Sequence, residues 1–74
     1  MSFVITTVID GVPHGVKPEG KKFSLVPIER ASDVYHIMNL PQLSLARSIL
    51  FWIENNDSKL SKHQFDISPA AKFA

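Results

Sequence analysis

The chain has 74 residues (8.3 kDa), of which 45% are hydrophobic and 20% charged, with a formal net charge of +1. It is too apolar for a disordered chain, and its longest unbroken apolar run, Ile49 to Ile53, is far short of the roughly 20 residues a membrane-spanning helix needs. Near-neutral charge argues against a phosphate backbone as the main partner, and the absence of cysteine removes disulfides, thiolate metal sites and cysteine nucleophiles together.

One domain is expected over residues 1–74. A core of this size rarely supplies more than about 3–5 kcal/mol, so association with another protein or a second copy would be a source of added stability. The N-terminus, Met1 to Thr7, has no basic region followed by a long apolar segment. The expectation is a soluble, cytoplasmic protein without a secretory signal or membrane contact.

Ser2 to Ile9 combines Phe, Val, Ile and Thr, the side chains that suit a pleated surface. Both of its faces are largely apolar, which predicts a central strand or one covered on more than one side. Asp10-Gly11 then suits a two-residue type I′ hairpin, because both residues tolerate positive φ. Val12 to Lys17 carries a proline and a glycine, and reads as a short edge strand or a loop. Lys17-Pro18-Glu19-Gly20 has the residue preferences of a type I turn. Lys22 to Ile28 reads as a further strand, so the N-terminal third is a hairpin or a three-stranded meander.

Ser32 suits a helix N-cap, with Asp33 near the positive end of the dipole and Val34, Ile37 and Met38 at helical spacing. Pro41 ends that helix by Asn39 or Leu40. A second helix is predicted over Gln42 to Asn55. Its residues Leu43, Leu45, Ala46, Ile49, Leu50, Trp52 and Ile53 fall within one arc of roughly half the circumference. So broad an arc predicts packing against both the sheet and the first helix. Phe51 lies outside it, near the middle of a polar stripe formed by Ser44, Arg47, Ser48, Glu54 and Asn55.

His63, Phe65 and Ile67 alternate with polar residues and predict a last short strand returning to the sheet. Ser68 to Ala74 is expected to be a loose tail, with Phe73 able to dock. The expected fold is α+β: a small two-layer antiparallel sheet of two to four strands, with two helices on one face, in the order β-β-(β)-α-α-β.

No motif carries catalysis. His14, His36 and His63 lie in different elements without metal-ligand spacing, and there is no Gly-x-Ser-x-Gly elbow. Gly11, Gly15 and Gly20 form no phosphate-binding loop and read as hairpin punctuation. No catalytic residue, cofactor or metal is therefore expected.

Two binding readings remain. Phe51, with Arg47 one turn before and Asn55 one turn after, is an aromatic with a small polar rim, the residue types in which binding energy concentrates. Its cover is either the chain's own tail through Phe73 or a partner protein, a homodimer included. On this reading the chain is a non-enzymatic adaptor, inhibitor or regulatory subunit, a type common among regulators of phages and other mobile elements. The alternative is a nucleic-acid-binding module using Lys17, Lys21 and Lys22, against which stands the ordinary reading of a solvated hairpin tip.

Overall fold

The computed structural model describes residues 1–73. Its elements are β1 (Phe3–Ile9), β2 (Val12–Glu19), β3 (Lys22–Pro27), a first 3₁₀ helix (Ala31–His36), α1 (Leu43–Asn56), β4 (Asp66–Pro69) and a second 3₁₀ helix (Ala70–Phe73). The strands form one antiparallel sheet in the order β3-β2-β1-β4, so the chain is α+β. No helix among the described residues is long and apolar enough to cross a membrane.

The first hairpin turns at Asp10 and Gly11, both with positive φ (53° and 80°), as the type I′ turn requires. Val12 onward is neither an edge strand nor a loop: β2 runs to Glu19 between β1 and β3. Its prolines explain why the pattern misleads. Pro13 pairs with Val8 of β1 just before the ladder to β3 begins, and Pro18 pairs with Phe23 of β3 after the ladder to β1 has ended at Gly15. Each stands where β2 has one laddered neighbour, so neither missing amide breaks the sheet. The second turn also differs from expectation. Pro18 and Glu19 are strand residues, and the chain reverses at Gly20 (φ 65°) and Lys21.

The sheet is covered on both faces, which corrects the two-layer arrangement with both helices on one side. On one face, Ile5 and Val16 pack with Leu40, Leu60 and the α1 residues Ala46 and Ile53. On the other, Val4 packs with Ile28, Val34 and Ile37, and Val26, Ala70 and Phe73 lie against them. The helix expected after Ser32 is thus only a short 3₁₀ helix over Ala31–His36, on the face opposite α1. Ser32 is not its cap. The Asp33 carboxylate accepts from the amides of Glu29 (2.9 Å) and Arg30 (3.0 Å) instead, and these bonds hold its pKa below the usual carboxylate value.

The link from one face to the other passes through a gap in the sheet. Pairing between β1 and β2 stops at Thr6 opposite Gly15, and residues 37–40 fill the opening beyond. The Met38 amide donates to the Val16 carbonyl (2.8 Å), while Phe3 and Leu40 exchange bonds of 2.7 and 2.8 Å. Ile37 packs into the cluster around Val4, whereas Met38 and Leu40 belong to the cluster around Ile5. Gly15 is part of this fit. It is not turn punctuation: a Cβ there would collide with the side chain of Ile37.

The last strand lies at Asp66–Pro69, two to three residues later than the alternation of His63 to Ile67 suggests. Residues 57–63 make turns instead, in which the Asp57 carboxylate accepts from the Lys59 and Leu60 amides (both 3.0 Å) and the His63 amide donates to the Leu60 carbonyl. The expected loose tail is largely structured. Ser68 is buried in β4, the Ala70 amide donates to the Ser2 carbonyl, and Phe73 docks beside Val34. Residue 74 lies outside the described residues.

Candidate functional site

Helix α1 starts right after Pro41 and Gln42 and ends where the Asp57 amide donates to the Ile53 carbonyl (3.0 Å). Only part of the expected apolar arc is buried. Ala46 and Ile53 are fully enclosed and Ile49 and Leu50 are half-buried, but Leu43, Leu45 and Trp52 are exposed. The physical reason is the placement of the first 3₁₀ helix. It was the expected second partner for this arc, and it lies across the sheet instead, so α1 has a single sheet face to pack on.

Phe51 lies on the side of α1 away from the buried Ala46 and Ile53 and is 69% exposed. Phe73 does not cover it, because Phe73 sits in the cluster on the opposite face. Arg47 and Asn55 are exposed one turn to either side along the same stripe. The Asn55 side-chain amide is turned back to donate to the Phe51 carbonyl (2.7 Å), and the Ser48 hydroxyl donates to the Ser44 carbonyl (3.1 Å). These polar groups therefore serve the helix backbone and leave the phenyl ring as the prominent feature.

About 100° around the helix from Phe51, Leu45 (41% exposed) and Trp52 (47%) form a second apolar strip. The Trp52 ring meets Phe23 of β3 edge to face, with centroids 5.8 Å apart. Leu45 and Trp52 are interface candidates that the helical wheel assigned to the core. The available signal was the width of the arc, which exceeds what one sheet face can cover. Together with Ser44, Ser48 and Asn55 they make this an uncharged surface, with Arg47 and Glu54 along its far edge.

The sequence-predicted lysines separate. Lys21 and Lys22 line an open recess of about 320 Å³ with Lys59, Phe23, Trp52 and Asp57. Lys17 pairs across from Ser24 in the ladder and does not line that recess. The recess lies at the C-terminal end of α1, whose last carbonyls carry partial negative charge, so lysines there already have a structural use. Among the described residues, no group of three or more His, Cys, Asp or Glu is arranged to hold a metal ion. Every fully buried side-chain nitrogen or oxygen among them has a hydrogen-bond partner.

Comparison with protein families, curated proteins and solved structures finds no match. The site therefore takes its meaning from its own geometry.

Proposed function

We propose that this chain is a non-enzymatic interaction protein, an adaptor, inhibitor or regulatory subunit, that works by protein–protein contact through the outer face of α1. The observation that carries the reading is Phe51, largely uncovered on a 14-residue α-helix while the only aromatic of the tail packs elsewhere. Arg47 and Asn55 frame it, and Leu45 and Trp52 extend the apolar area. Aromatics and arginine concentrate binding energy at interfaces, and large exposed apolar groups on one face mark contact surfaces. The test is affinity capture from the host with wild type and Phe51→Ser in parallel, with the captured proteins identified. Loss of a specific protein with the variant supports the reading, and identical captures by both chains refute it.

A second reading has its own support in the recess at the end of α1. Three lysines, Lys21, Lys22 and Lys59, stand around the paired rings of Trp52 and Phe23, a combination suited to the backbone and bases of a single-stranded nucleic acid. Trp52 is the sole tryptophan, so its fluorescence reports directly. Titration with a single-stranded oligonucleotide at low salt should quench it, and replacing the three lysines with alanine should abolish the change. Lys17 should be dispensable. An unchanged signal at low salt ends this reading.

A further inference from the structure

Building on the contact reading of α1, we infer that the outer face of this helix is self-complementary and that its occupant is a second copy of the chain, packed antiparallel about a two-fold axis beside Phe51. The argument rests on the charges along the edge of the face. Arg47 and Glu54 lie seven residues apart on one side of the helix, about 10 Å along its axis, with Phe51 between them. Neither has an opposite charge one turn away in its own helix. The residues three and four away from Arg47 are Leu43, Ser44, Leu50 and Phe51, and beyond Glu54 comes Asp57, a like charge.

An antiparallel copy supplies both missing partners at once. Its Glu54 falls level with Arg47 and its Arg47 level with Glu54, as an isologous interface requires. The midpoint of the two charges lies next to position 51, so the two Phe51 rings meet across the axis. Ser44 and Ser48 are short, and Asn55 is folded back on the helix, so the backbones can approach closely. A net charge of +1 sets up little repulsion between copies. The sheet edges are poorer association surfaces: β4 has four residues and ends at Pro69, and β3 ends at Pro27. A contact made by one 14-residue helix is at the small end of specific interfaces, below about 1,200 Å² in total, so the dimer is concentration-dependent.

Sedimentation equilibrium of the full chain across micromolar to millimolar concentrations tests this. The expected mass rises from 8.3 kDa towards twice that value. Phe51→Ser should hold it at the monomer mass. Arg47→Glu and Glu54→Arg should each weaken the dimer about tenfold or more, by setting like charges opposite one another in both symmetric pairs. The double variant Arg47→Glu/Glu54→Arg should recover wild-type association. All three positions are on the outside of α1, and circular dichroism verifies that each variant is folded. A wild type that stays monomeric throughout overturns the inference, as does a double variant no better than the singles. If the wild type is monomeric yet Phe51→Ser still loses a captured protein, the contact reading stands with a different partner. If both measurements are negative, the two fall together.

Discussion

Glycine in a strand interior is ordinarily a weakness, and replacing it with alanine gains about 0.5–1 kcal/mol by reducing unfolded-state freedom. Gly15→Ala should do the opposite here. A Cβ built at this position meets Cδ1, Cγ2 and Cβ of Ile37, none farther than 3.0 Å away. Three atoms on one side chain cannot all be relieved by rotating its tip. Ile37 is itself enclosed by Val4, Ile28 and Val34, and the next residue is tied to the Val16 carbonyl. Overpacking of this kind costs about 1–3 kcal/mol. Against a total of about 3–5 kcal/mol for so small a core, that is a large fraction. With a urea slope of about 1 kcal/mol per molar, the midpoint should fall by about 1–3 M, measured by circular dichroism. Ile37→Val removes the nearest methyl. The double variant should therefore lose less than the sum of the two singles, a favourable coupling of about 0.5 kcal/mol or more. A midpoint unchanged or raised in Gly15→Ala, or strict additivity with Ile37→Val, would refute the close packing of residues 15 and 37.

Ile53→Ala, at a fully buried position, should cost about 2–5 kcal/mol, enough to leave the chain substantially unfolded at 25 °C by circular dichroism. Phe51→Ser should change stability by no more than about 0.5 kcal/mol in urea denaturation of the monomer, because the ring is exposed there. Asp33 accepts two backbone amides as a carboxylate and so has a lowered pKa. Its contribution is therefore fully present above the ordinary aspartate value of 3.8, which applies in the unfolded chain, and disappears as pH falls through its lower native value. Asp33→Asn should accordingly be less stable than wild type at pH 7, and the difference should shrink in acid, as read from thermal midpoints across a pH series.

What could be read from the sequence follows the range of the interactions involved. Strand β1, the Asp10-Gly11 turn and helix α1 were legible because period-two and period-3.6 patterns and turn chemistry are local. Strand β2 was not, because its prolines are tolerated only through the staggered ladders to β1 and β3, a relation between distant segments. The segment after Ser32 has helical spacing, but its capping comes from Asp33 and the fate of its apolar residues was decided by the gap beyond Gly15. The site followed the same division. Position on the wheel correctly set Phe51 apart from the buried arc, while the exposure of Leu45 and Trp52 depended on which side of the sheet the preceding segment chose.

The strip from Ile37 to Leu40 has a bearing on cooperativity. Each apolar cluster alone is too small to be an independent folding unit, and this strip contributes side chains to both while its backbone bonds to β1 and β2. Loosening either side of the sheet must withdraw a residue from the other. The molecule should therefore open as one unit, with the amides of Phe3, Met38 and Leu40 exchanging with solvent only as fast as the whole chain unfolds. Four consecutive residues thereby tie together sequence-distant parts of a 74-residue protein, and a single unfolding transition is the expected result.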